Sequence, residues 1–137
     1  MGTSPVEILV VEDEEVHREG MVGALEDEFE SRGVRVLSAE NGRQAVAVVR
    51  DGMLVFLDIE MPVMDGYGVL AYMKEHGIRP SKVVITGSKA GLNSERGVIG
   101  QKVRRAYSHP EDIAYLPKPI DVDELISTAS EALGIPL

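Results

Sequence analysis

Apolar residues along the chain fall into two kinds of run. Short, β-branched-rich stretches occur at 6–11, 34–39, 54–57, 82–86 and 113–116, with the length and near-continuous apolarity of strands buried on both faces. Between them, apolar residues recur at steps of three and four, the spacing of one helix face. The first such segment starts near Glu14 and carries Val22, Leu25 and Phe29. The second follows Asn41-Gly42-Arg43-Gln44, an N-cap with Gln three residues on. The third follows Asp65 and buries Val69, Leu70 and Met73. The last has the form of a capping box at Asp121-Val122-Asp123-Glu124, with Val122, Leu125, Ile126, Ala129 and Leu133 as one stripe. Gly134 and Pro136 close it.

Strands alternating with helices imply βαβ units, so the expected fold is α/β: a five-stranded parallel sheet, doubly wound, with helices on both faces. In such sheets the site forms at the carboxyl ends of the strands, beside the topological switch point. A chain of 137 residues, 44 % hydrophobic and 27 % charged, has the size and composition of one domain. The expected division is an N-terminal extension or tag remnant at 1–5, the domain at 6–134 and a tail at 135–137. The absence of Cys excludes disulfide scaffolds, thiolate zinc sites and cysteine nucleophiles. A net charge of −9, from 14 Lys plus Arg against 23 Asp plus Glu, argues against a nucleic-acid partner or an anionic membrane surface. No run approaches the roughly 20 apolar residues of a membrane span, and the N-terminus lacks signal-peptide form, so a cytoplasmic location is expected.

Polar groups gather where the strands end. The first strand delivers Glu12-Asp13, the third Asp58, the fourth Thr86, and the fifth leads into Lys118-Pro119. Taken singly, each has a plain reading: acidic residues favoured at a helix start, a β-branched strand residue, a solvated lysine. Asp58 resists it, because a carboxylate closing the apolar run Val55-Phe56-Leu57 loses solvation unless a cation or Lys118 pairs with it. Converging carboxylates repel until a metal neutralises them. Hard oxygen ligands without Cys or a neighbouring His point to Mg2+ or Mn2+. With a carboxylate nucleophile, a metal, a lysine and a hydroxyl, the set has the parts of a phosphoryl-transfer site.

Four segments together carry a family resemblance: Ile8-Leu9-Val10-Val11-Glu12-Asp13-Glu14, then Leu57-Asp58-Ile59-Glu60-Met61-Pro62-Val63-Met64-Asp65-Gly66, then Val83-Val84-Ile85-Thr86-Gly87, then Tyr115-Leu116-Pro117-Lys118-Pro119. In this order, over nearly the whole chain, they resemble the receiver domain of two-component response regulators, chemotaxis-receiver-like and flavodoxin-like in fold. The resemblance implies strand order 2-1-3-4-5. It implies that Asp58 is the phosphoacceptor, attacking the phosphorus of a phosphohistidine on a partner kinase. Mg2+ would then lie on Asp13, Asp58 and the backbone carbonyl of Glu60, with Glu12 acting through a metal-bound water. Lys118 and Thr86 would hold phosphoryl oxygens, and Tyr115 would be the switch aromatic that follows Thr86 inward. The Lys118-Pro119 bond would be cis, and Glu60 and Ser88 would tune the lifetime of the phosphate. The implied partners are a sensor histidine kinase or phosphotransfer protein, a downstream protein target, and a second copy of the chain through the helix 4, strand 5 and helix 5 face. With no output domain within these residues, the signal would leave through protein contact.

One stretch departs from the pattern. Thr86 and Lys118 are 32 positions apart, about ten more than the family usually spends, nearly an average helix. The stretch 87–93 has loop composition, Gly97 and Gly100 weaken the helix after it, and Lys89, Arg96, Lys102, Arg104 and Arg105 form a basic cluster on an acidic protein. That cluster is a solvated helix face or an output surface for an acidic partner. Gly66-Tyr67-Gly68-Val69-Leu70-Ala71 fits G-x-G-x-x-A but lies eight residues past Asp58, too far for a dinucleotide turn, and reads as a loop and helix start. His17, His76 and His109 are scattered, so each is expected to be a surface or structural residue. Two rival functions remain: a Mg-dependent aspartyl-phosphate phosphatase of the haloacid-dehalogenase type, which wants Asp where Glu60 stands, and a pseudo-receiver that only binds partners.

Overall fold

The computed structural model describes residues 5–88 and 98–137. Five parallel strands, β1 (Val6–Val11), β2 (Val34–Ala39), β3 (Leu54–Asp58), β4 (Lys82–Ser88) and β5 (Ile113–Lys118), form one sheet in the order β2-β1-β3-β4-β5. The α-helices among the described residues are α1 (Glu15–Phe29), α2 (Gly42–Val48), α3 (Gly66–His76), α4 (Val98–Ala106) and α5 (Val122–Leu133). Strand side chains alternate between two apolar layers. Leu9, Val11, Val55, Leu57, Val83 and Ile85 pack on one face with residues of α2, α3 and α4. Ile8, Val10, Leu54, Phe56 and Val84 pack on the other with residues of α1 and α5. Burial on both faces is why these strands show no polar alternation in the sequence.

The caps follow the sequence closely. Asn41 Oδ1 accepts the Gln44 N–H at 2.9 Å, while Gln44 Oε1 accepts the Glu40 N–H at 2.9 Å, one residue before the cap itself. Asp65 caps α3 through the Gly68 N–H at 2.9 Å. Asp121 caps α5 through the Asp123 and Glu124 N–H groups at 2.8 and 3.2 Å. Val69, Leu70 and Met73 are buried as expected. One apolar position is corrected. Val122 is 56 % exposed, because it stands at the first position of α5 on the rim of a cavity instead of against the sheet. On α1, Leu25 and Phe29 are buried and Val22 packs half-buried against the same layer, joined there by Met21.

β4 and β5 run two residues further than the apolar pattern indicates, since their ladder continues through Gly87↔Pro117 and Ser88↔Lys118. Lys102, Arg104 and Arg105 of the basic cluster are exposed on α4, with Lys102 Nζ 5.3 Å above the Tyr67 ring. Lys89, Arg96, Gly97 and most of the loop-like stretch lie outside the described residues. No helix among the described residues is long and apolar enough to cross a membrane.

Between Pro62 and Met64 the chain turns on Val63, whose φ is +71°. The Met64 N–H bonds the Pro62 carbonyl at 2.8 Å, the three-residue closure of a γ-turn, which is strained when the central φ is positive. A β-branched residue is poorly suited to this region, and Val63 is 73 % exposed, so its side chain gains little from packing. Val63→Gly is therefore expected to raise stability by about 1 kcal/mol, the relieved strain exceeding glycine's entropy cost. The measurement is the urea midpoint at unchanged m-value; an unmoved or lower midpoint would count against strain at this turn.

Candidate functional site

The parallel register brings the strand ends to one edge. Asp58, the last residue of β3, pairs with Thr86 of β4, and Ser88 pairs with Lys118, the last residue of β5. Glu12 directly follows β1 and continues its ladder by donating its N–H to the Ala39 carbonyl at 3.1 Å. Glu12, Asp58 and Thr86 are the buried polar or charged side chains among the described residues, at 0 %, 3 % and 1 % exposure.

One cation holds this group together. Lys118 Nζ lies 3.0 Å from Glu12 Oε1, 2.9 Å from Glu12 Oε2 and 3.0 Å from Asp58 Oδ2. Asp58 Oδ1 accepts the Glu60 N–H at 3.1 Å. Burial and the neighbouring Glu12 push the Asp58 carboxyl above its ordinary value, against the opposing pull of Lys118. Burial alone would lower the Lys118 ammonium, but its bonds to Glu12 and Asp58 and their charges raise it overall. Lys118 thus stays charged.

Asp13 joins from the first loop. Its carboxylate lies within 4.8 Å of ligand oxygens on Glu12 and Asp58. Three carboxylates against one ammonium leave two negative charges uncompensated, the deficit that a divalent cation fills, and all the donors are hard oxygens. The set fits a Mg2+-type ion. A cavity of about 630 Å³ opens over it, lined by Asp13, Asp58, Glu60, Ser88 and Lys118 among others. The Lys118-Pro119 peptide bond is cis. Tyr115 pairs in register with Ile85 and is half-buried, packed against the α2–α3–α4 side of the core. Glu60 and Ser88 are exposed at the cavity.

Glycine is required at the start of α3. A Cβ on Gly66 would stand 2.7 Å from the Asp58 carbonyl oxygen and 2.9 Å from Ile59 Cα, both backbone atoms. The Gly66 N–H also bonds the Ile59 carbonyl at 3.1 Å. Gly66 of G-x-G-x-x-A therefore serves close packing of the α3 start beneath Asp58.

Two residues of α1 contact Glu12, a placement that the sequence pattern does not indicate. Arg18 donates Nη1 to the Glu12 carbonyl at 2.9 Å, and its Nη2 lies 3.9 Å from Glu40, so it ties the first loop to the end of β2. His17 is a surface residue, as expected, but it is not isolated: its Nδ1 lies 3.5 Å from Glu12 Oε1 and 3.3 Å from Glu14 Oε2. The expectation that no histidine neighbours the acidic pocket is thereby corrected. The usable signal was His17's place three residues after Glu14, in the first turn behind a strand end. His76 and His109 lie elsewhere, against Tyr72 and Tyr107.

Residues 8–130 match the family described as response regulator receiver domain. Among curated proteins, the transcriptional regulatory protein TcrA of Mycobacterium tuberculosis is 32 % identical over 126 residues, covering 90 % of this chain and 44 % of TcrA. The polar-differentiation response regulator DivK of Brucella anthropi is 26 % identical over 133 residues, covering 95 % of this chain and 98 % of DivK. The chain spans less than half the length of TcrA and of several other curated relatives that it matches. Among solved structures, the receiver domain of NtrX from Brucella abortus superposes with a TM-score of 0.69 at 28 % identity, covering 94 % of this chain and 99 % of that one.

Proposed function

The chain belongs to the response regulator receiver family of two-component systems, and from that premise we propose that Asp58 is its phosphoacceptor. The observation that carries this reading is the Lys118 ammonium 3.0 Å from a buried Asp58 at the floor of an open cavity. An Asp58 carboxylate oxygen forms a bond to phosphorus while the phosphorus–nitrogen bond of a phosphohistidine breaks, and the electron pair leaves with the imidazole. Lys118 and the Thr86 hydroxyl then hold phosphoryl oxygens. Asp13, Asp58 and the Glu60 carbonyl are the residues that would hold Mg2+, with Glu12 through a water, and the ion would neutralise charge on the transferring group.

Receiver domains exchange phosphoryl groups with histidine kinases or phosphotransfer proteins and pass the signal to other proteins. Here the output would run through Thr86 and Tyr115 to the α4–β5–α5 face, whose population shifts when charge is added at Asp58. Downstream protein and second-copy contacts belong to that face. Glu60 and Ser88, exposed beside Asp58, sit where they can tune hydrolysis of the acyl phosphate. The work is placed in the cytoplasm, beside the donor kinase.

The test is incubation with acetyl phosphate, followed by intact-mass measurement. One phosphoryl group per chain is expected with Mg2+ and none in EDTA. No adduct in Mg2+ would overturn the reading in favour of a pure binding module, and rapid turnover of many phosphomonoesters would favour a phosphatase.

A further inference from the structure

Beside the proposed Mg2+ site lies a second group of ligand atoms, two of whose three residues line the same cavity. His17 Nδ1 is 3.5 Å from Glu12 Oε1 and 3.3 Å from Glu14 Oε2, and all three donors lie within 4.8 Å of one another. Around a tetrahedral ion with bonds near 2.1 Å, neighbouring donors stand about 3.4 Å apart, and both His17 separations fall at that spacing. The anchor is rigid and the other two ligands are free to adjust: the Glu12 side chain is 1 % exposed, against 52 % for His17 and 62 % for Glu14. Glu14 and His17 line the cavity together with Asp13 and Asp58, which leaves a fourth position open to water on that side, while Glu12 is buried behind them and also accepts from Lys118 at 3.0 Å.

We propose that Glu12, Glu14 and His17 form a second divalent-cation site, selective for an imidazole-preferring ion such as Zn2+. One imidazole and two carboxylates suit a borderline first-row ion, which binds such donors more tightly than Mg2+ does. The Asp13–Asp58 group offers only oxygen and suits the harder ion. The two sites are distinct in chemistry but share Glu12. Occupation of one therefore weakens the other, and the coupling is reciprocal. The proposal goes beyond the phosphoacceptor reading and does not depend on it, since neither His17 nor Glu14 takes part in phosphoryl transfer.

The experiment titrates the full chain with Zn2+ alone, reading affinity by competition with a chromogenic chelator and site by the histidine ring resonances in NMR. The parent chain is expected to take one Zn2+ with the His17 ring shifted and those of His76 and His109 unmoved. His17→Gln and Glu14→Gln, both at exposed positions, are each expected to weaken Zn2+ binding at least about tenfold, and to leave Mg2+ affinity within about twofold. Asp58→Asn is expected to retain Zn2+ binding. Unchanged Zn2+ affinity in His17→Gln overturns the proposal and returns His17 to a plain ion pair with its two glutamates. Loss in Asp58→Asn equal to that in His17→Gln overturns it too, by moving the ion to the Asp13–Asp58 group. Failure of the phosphoacceptor reading would appear in acetyl phosphate labelling and not in this titration.

Discussion

Asp58→Asn is expected to take up no phosphoryl group from acetyl phosphate in Mg2+ and, in EDTA at pH 7, to unfold at a higher temperature than the parent chain. The first effect follows from removal of the nucleophile: an amide oxygen is no substitute for a carboxylate, and labelling should fall about a hundredfold or more. The second follows from linkage. The Asp58 carboxyl titrates above its ordinary value of 3.8, through burial and then Glu12, so the folded state binds its proton more tightly than the unfolded state. Stability from this group is full below the unfolded value and falls as pH rises through the folded one. Asparagine never ionises and escapes that loss, while Lys118 keeps both contacts to Glu12 at 3.0 and 2.9 Å. The difference in Tm between variant and parent should therefore open as pH rises from about 4. Mg2+ should narrow it by stabilising only the chain that retains Asp58. Residual labelling in the variant would put the acceptor elsewhere, and a lower Tm at pH 7 would mean that Lys118 more than compensates the buried charge.

The sheet and the centre of the site are legible in the chain for one shared reason. Strands buried on both faces leave apolar runs with nothing polar inside them, so a carboxylate at the end of such a run, as at Asp58 after Leu57, has to be explained by a partner. Lys118 is legible as that partner from the strand ends, but its second partner, Glu12, carries no local signal. Glu12 and Lys118 are 106 positions apart, and they meet because β1, β3, β4 and β5 end in register, which only the assembled sheet shows. Val122 fails from the opposite side: helical spacing aligns it with Leu125 and Ala129, but a stripe does not say how far the surface it packs against extends.

His17 and Arg18 were hidden by a further effect. Both stand in a polar stretch of α1 that reads as a solvated face. The backbone at Glu14 is extended, with φ −82° and ψ 117°, and the helix begins directly after it, so its first turn lies over the end of β1. Arg18 then reaches the Glu12 carbonyl and keeps only 16 % of its side chain exposed. His17 reaches the Glu12 carboxylate. Side chains that act by reaching back over a loop write no period into the sequence. By contrast, Gly66 is visible in the sequence but easily misread, because a glycine needed for close backbone approach and one needed to cradle a phosphate look the same.

Lys118→Met is expected to cost about 3 kcal/mol of stability at pH 7 in EDTA, the scale for removing one partner from a buried charged group. The methionine fills the lysine stem's volume, so little of the loss comes from packing. What remains is Glu12 and Asp58, with side chains 1 % and 4 % exposed, facing each other without the ammonium that held both. Two buried carboxylates so placed cannot both stay ionised cheaply, and one takes up a proton. Folded-state pKa values raised in this way make the variant recover stability as pH falls. The parent keeps a charged Lys118, raised by its two partners, and loses that contribution only as pH rises through and beyond the lysine range above 10.5. Mg2+ should also stabilise the variant more than the parent, because it supplies the missing positive charge and no longer competes with Lys118 for Glu12 and Asp58. Urea unfolding of both chains at pH 5 and pH 7, with Mg2+ and with EDTA, reads all three effects. Equal stability of the two chains at pH 7 in EDTA would show that Glu12 and Asp58 are relieved by solvent, and that Lys118 serves the bound phosphoryl group alone.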